Sequence, residues 1–119
     1  MNLDDARVVL DFCYGDGSLG YYVHYETQTD PDGSLQFRVW GDRPDLPKSA
    51  WGYLDANWIM GTLTPALEER LGLYVATYWP ELDEGATHTV QIRCGSSYNG
   101  YGPTFEAAFL AAAAAAVRS

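Results

Sequence analysis

Hydrophobic residues recur along this chain at two spacings, and the spacing separates its strands from its helices. Between residues 21 and 40 the period is two. Tyr21, Val23, Tyr25 and Thr27 alternate with Tyr22, His24, Glu26 and Gln28, and Leu35, Phe37 and Val39 alternate with Gln36, Arg38 and Trp40. Alternation sends successive side chains to opposite faces, so each run predicts a strand. Asp30-Pro31-Asp32-Gly33 between them suits a three-residue hairpin loop, with Pro31 restricting φ and Gly33 free to turn left-handed. With Asp30 opposite Ser34, Thr27 faces Phe37, Tyr25 faces Val39 and Glu26 faces Arg38.

Elsewhere the period lengthens. Over residues 3–14, Leu3, Ala6, Leu10 and Cys13 fall at helical spacing while Val8, Leu10 and Phe12 alternate as in a strand. Asn2 or Asp4 as a cap, the acids Asp4 and Asp5, and Gly15 as a stop favour the helix. The two prolines of residues 41–48 mark a connector. A helical region follows. Ser49 is placed to cap a stretch bearing Trp51, Leu54 and Trp58, and Thr64-Pro65 reads as the start of a second helix, striped by Leu63, Leu67 and Leu71 and ended by Gly72. Gly61 marks the break between the two.

The last third predicts two strands, Leu73 to Trp79 and Thr87 to Cys94, paired antiparallel across an acidic connector. His88, Val90, Ile92 and Cys94 share one face of the second. Gly95 to Gly102, with its serines and glycines, reads as a flexible connector to a closing helix capped by Thr104. That helix is almost all alanine from Leu110 to Val117, which specifies it locally and lets it approach a sheet closely, with Phe105, Phe109 and Leu110 anchoring its start. The expected fold is a single α+β domain over residues 1–119, a sandwich-like packing of an antiparallel sheet of about four strands, in two hairpins, with two or three helices.

Residues 57–119 resemble the phage ABA sandwich family. The likeness rests on Trp58 ahead of Leu67-Glu68-Glu69-Arg70-Leu71-Gly72, an aromatic strand ending at Trp79, and Tyr101-Gly102-Pro103-Thr104 leading into Ala107-Ala108. Family members often carry an Arg after the alanines where this chain has Phe109-Leu110. The resemblance implies a phage-linked source and a compact α/β sandwich; the family has no settled biochemical activity, so no mechanism comes with it.

Charge narrows the partners. Seven basic residues against 16 acids leave a net charge of −9, the wrong sign for direct nucleic-acid binding, which neutralises phosphates with Lys and Arg. The same field draws in a basic protein, and one that itself binds nucleic acid is the natural candidate. Composition predicts no membrane segment, since 107–117 is too short to span a bilayer, and the start of the chain lacks the features of a signal peptide. A cytoplasmic protein is expected, which for a phage product means the host cytoplasm.

Catalytic and metal chemistry find no motif, and neither an enzyme nor a cofactor is expected. Cys13 and Cys94 form no C-x-x-C unit and read as reduced thiols in or near the core. His24 and His88 lie in strands without a nucleophile signature, although Cys94 with His88 is a pair to check in space. Asp30-Pro31-Asp32-Gly33 lacks the further ligands of a calcium loop, and Gly95 to Gly102 lacks a P-loop ending.

Nine tyrosines and four tryptophans exceed the needs of so small a core, and such rings anchor interfaces at low entropic cost. The candidate partner-binding residues are Asp11, Asp16, Tyr22, Trp40, Asp42, Asp45, Glu81, Asp83, Glu84, Tyr98 and Tyr101. They point to an anti-CRISPR-like accessory protein that occupies the nucleic-acid-binding surface of a basic host defence protein. The alternative is a self-associating structural or accessory module, so monomer and homodimer are both open.

Overall fold

A computed structural model describes residues 3–14, 23–29, 35–41, 52–72, 74–79 and 87–119. Helix α1 spans Leu3–Tyr14 with Asp4 and Asp5 in its first turn, at the positive end of the helix dipole. Ala6, Val9, Leu10 and Cys13 are buried. Their i, i+3, i+4, i+7 spacing is one helix face, and burial of that face is what selects helix over strand for this segment.

Strands β1 (Val23–Thr29) and β2 (Leu35–Gly41) pair antiparallel with Thr27 opposite Phe37, Glu26 opposite Arg38 and Tyr25 opposite Val39. This is the predicted register; the Asp30–Gly33 turn itself lies outside the described residues. A two-residue strand β3, Gly52–Tyr53, adds to β2 and gives the order β1-β2-β3.

β3 displaces the helix start expected at Ser49, which lies outside the described residues. Asp55 is the cap instead: its backbone is extended and its carboxylate accepts the Trp58 N–H at 2.9 Å. From there α2 (Ala56–Trp58), a π turn (Ile59–Leu63) and α3 (Thr64–Leu71) form one continuous helical run. Thr64 is therefore inside the helix and does not cap it. Both its N–H and, at 2.9 Å, its hydroxyl donate to the Ile59 carbonyl. The widened turn accommodates Pro65, which has no N–H and would crowd a regular turn. Leu63 and Leu67 are buried, and Gly72, at φ 79°, closes α3 as its position in the sequence predicts.

The second sheet comprises β4 (Val75–Trp79), β5 (His88–Cys94) and β6 (Ser96–Gly102), antiparallel in the order β4-β5-β6. The α+β class holds, with two three-stranded sheets in place of about four strands. The difference lies chiefly in β6, whose residues read as a connector in sequence. A turn through Gly95, at φ 95°, reverses the chain so that Ile92 pairs with Tyr98, Val90 with Gly100 and His88 with Gly102.

Helix α4 (Phe105–Arg118) begins at Thr104, whose hydroxyl accepts the Ala107 N–H at 3.2 Å. It lies across β5 and β6 and packs against α1 on its other side. Seven of its residues are buried, Phe109, Leu110 and five alanines, as expected of a helix covered on two sides. The approach to β6 is very close. A Cβ on Gly100 would collide with the backbone of Ala108 and Ala112, and one on Gly102 would stand 2.7 Å from the Ala107 methyl. Glycine in the strand and alanine in the helix are two halves of one contact. Arg118, at the negative end of α4, reaches Asp5 at the positive end of α1, 3.0 Å away, so the helices run antiparallel. No described helix is long and apolar enough to cross a membrane.

Candidate functional site

The second sheet has a covered face and an open one. Val90 and Ile92 are buried beneath α4, so the alternate residues of each strand point away from it. Strand pairing sets those residues in three rows: Trp79, Thr89 and Tyr101; Thr77, Gln91 and Asn99; Val75, Arg93 and Ser97. Tyr101 is 61% exposed, Val75 51% and Trp79 48%. Trp79 and Tyr101 flank β5 on either side, roughly 10 Å apart across two strand spacings. In the two rows beside them Arg93 donates to the Gln91 side-chain amide oxygen at 3.2 Å and the Gln91 amide donates to that of Asn99 at 3.1 Å. This chain of hydrogen bonds steadies a face whose three described rows carry one charge, Arg93. No acid stands in any of the three rows.

The described acids lie elsewhere. Asp4 and Asp11 are exposed on α1, Asp55 precedes α2, and Glu68 and Glu69 are exposed on α3. Because α4 separates α1 from the sheet, Asp11 and Tyr101 belong to different sides of the molecule. Tyr98, a second expected contact residue, is on the covered side of β6, packed against the core, and its hydroxyl donates to the Ser119 hydroxyl at 2.7 Å. Its alternation with Tyr101 places it there. Trp40 lies in β2 opposite His24. Asp16, Tyr22, Asp42, Asp45, Glu81, Asp83 and Glu84 lie outside the described residues. Trp79 and Val75, absent from the sequence-derived set, join Tyr101 on the open face. Their signal was the alternation Val75, Thr77, Trp79 set beside the pairing partner Thr89.

Nucleophile chemistry finds no geometry. His88 and Cys94 share the covered side of β5 but occupy its two ends, about 20 Å apart at strand rise, so they cannot exchange a proton. His88 is instead bound to Tyr78, ring stacked on ring, with Tyr78 Oη and His88 Nδ1 2.7 Å apart, and the edge of Phe105 closes on Tyr78 from α4. Burial pushes the Cys13 thiol up to about 12, against an opposing pull from Arg70, and a protonated buried thiol is inert. Burial likewise raises the Tyr74 hydroxyl, which has no partner at hydrogen-bonding distance among the described residues; the neighbouring Thr64 hydroxyl is committed to the Ile59 carbonyl. Among the described residues, no group of three His, Cys, Asp or Glu is arranged to hold a metal ion. The flexible connector expected over Gly95 to Gly102 is instead a turn at Gly95 and strand β6, paired with β5.

Comparison with protein-family models, with curated proteins and with solved structures finds no match to this chain.

Proposed function

We propose that this chain is a phage or mobile-element accessory protein that binds and inhibits a basic, nucleic-acid-binding host defence protein, in the manner of an anti-CRISPR protein. The observation that supports it is the open face of the second sheet, where Trp79 and Tyr101 stand exposed on a chain of net charge −9. Charge and rings act at different stages. The −9 field accelerates encounter with a positive surface, and the rings supply contact energy once water is excluded. Three rows without an acid among the described residues avoid the cost of burying unpaired carboxylates in that contact.

The test is capture from host lysate with the chain and with its Trp79→Ala/Tyr101→Ala double variant. The expected result is a bound nucleic-acid-binding protein, displaced by DNA or RNA, whose affinity falls as ionic strength rises and drops on the order of thirtyfold for the double variant. Equal capture by both proteins, or affinity indifferent to salt, rejects the reading.

A further inference from the structure

Strand β4 is the least covered element of the second sheet. All five of its residues, Val75-Ala76-Thr77-Tyr78-Trp79, are exposed, including Ala76 and Tyr78 on the side facing α4. It pairs with β5 along one edge, and among the described residues nothing pairs with the other. Edge strands are ordinarily protected by charge, proline, a bulge or a cover, because their free N–H and C=O groups template pairing with another chain. This one has no charge, no proline and no glycine, and is built of β-branched and aromatic residues with one alanine.

We infer that β4 is a self-pairing edge: two copies of this chain join antiparallel along it, about a two-fold axis at Thr77, into one continuous six-stranded sheet. The occupant follows from the five side chains. Antiparallel pairing centred on Thr77 sets Thr77 opposite Thr77 of the second copy, Val75 opposite Trp79, and Ala76 opposite Tyr78. Each large ring meets a small side chain, on both faces of the sheet, and the same match recurs through the two-fold. Electrostatics favours the same place. Copies that each carry −9 repel wherever their acids meet, and β4 brings no carboxylate into the pairing. A basic partner would find nothing to recognise along this uncharged edge, whereas a second β4 finds its complement. The joined sheet also carries two Trp79/Tyr101 faces on one side.

Sedimentation velocity across micromolar concentrations measures this directly, with circular dichroism to confirm that each variant is folded. The chain is expected to dimerise, and Thr77→Asp, which sets two carboxylates face to face at the axis, is expected to weaken the dimer at least about a hundredfold. Thr77→Ser is expected to keep it. In addition, Thr77→Cys under mild oxidation is expected to yield a disulfide-linked dimer well beyond that of the parent chain. A strict monomer overturns the inference, as does a dimer that survives Thr77→Asp. Failure of dimerisation leaves the capture experiment with the Trp79/Tyr101 variant unaffected, so the two proposals fail separately.

Discussion

β6 and β4 flank the same central strand, yet α4 seals one face of β6 and leaves both faces of β4 bare. On the β6 side, glycines at alternate positions admit α4 to backbone contact, and Val90, Ile92, Phe109 and Leu110 are buried. On the β4 side, α4 extends little beyond the ring of Phe105 against Tyr78, and five consecutive residues stay exposed. Side-chain size decides the difference. A helix drawn onto glycines sits over them and leaves the far strand uncovered, so close packing at one edge of a three-stranded sheet is obtained by opening the other. Stability should therefore concentrate where α4 meets β6, and the free edge of β4 should contribute little to it.

Substitutions on the two sides should separate those contributions. Gly100→Val places branched carbon where the backbone of Ala108 and Ala112 already stands, and its cost is expected at about 3 kcal/mol or more. Ala76→Val on exposed β4 should change stability by no more than about 0.5 kcal/mol. Urea melts of the two variants check the contrast, and similar losses for both would abolish it.

A second measurement probes the layer behind α4. Cys13 titrates near its ordinary 9.0 when unfolded and near 12 when folded, so between these values the unfolded chain holds fewer protons. Stability is then fully present below pH 9 and is lost as pH rises towards 12, at about 1.4 kcal/mol per unit. Burial of Tyr74 adds to the loss at the alkaline end. Cys13→Ala should flatten the slope. An unchanged slope in that variant would assign alkaline unfolding to other groups.

The smallest effect concerns the start of α4. Thr104→Ala removes the acceptor of the Ala107 N–H, and is expected to cost about 1 kcal/mol. Thermal unfolding would show it as a drop of roughly 4 °C, with Thr104→Ser close to the parent. An alanine variant as stable as the parent would mean that the close contact with β6 alone holds this end of the helix.

Legibility from sequence varied with the range of the interactions involved. The first hairpin's register followed from alternation and a four-residue turn, and Thr104 and Gly72 were readable as helix ends because capping spans only a few residues. Thr64-Pro65 misled for a related reason. The pair has the local form of a helix start, but the π turn before it lets the helix run through. Asp55 does not stand out as a cap in the sequence because Gly52–Tyr53 reads as helix until β2 is there to pair with it. Of the expected contact residues, Tyr101 is exposed and Tyr98 is inward, a distinction that requires knowing that their segment is a strand.

Residue order alone determined the α+β class, the pairing of β1 with β2, the cap of α4 and the excess of negative charge, since each depends on composition or on neighbours a few positions apart. Tertiary structure decided that Ser96–Gly102 is a strand and that Trp79, Val75 and Tyr101 share one open face, free of acids among the described residues. Those outcomes hang on how near an alanine helix can come to two glycines, a distance set between segments and written in neither of them alone.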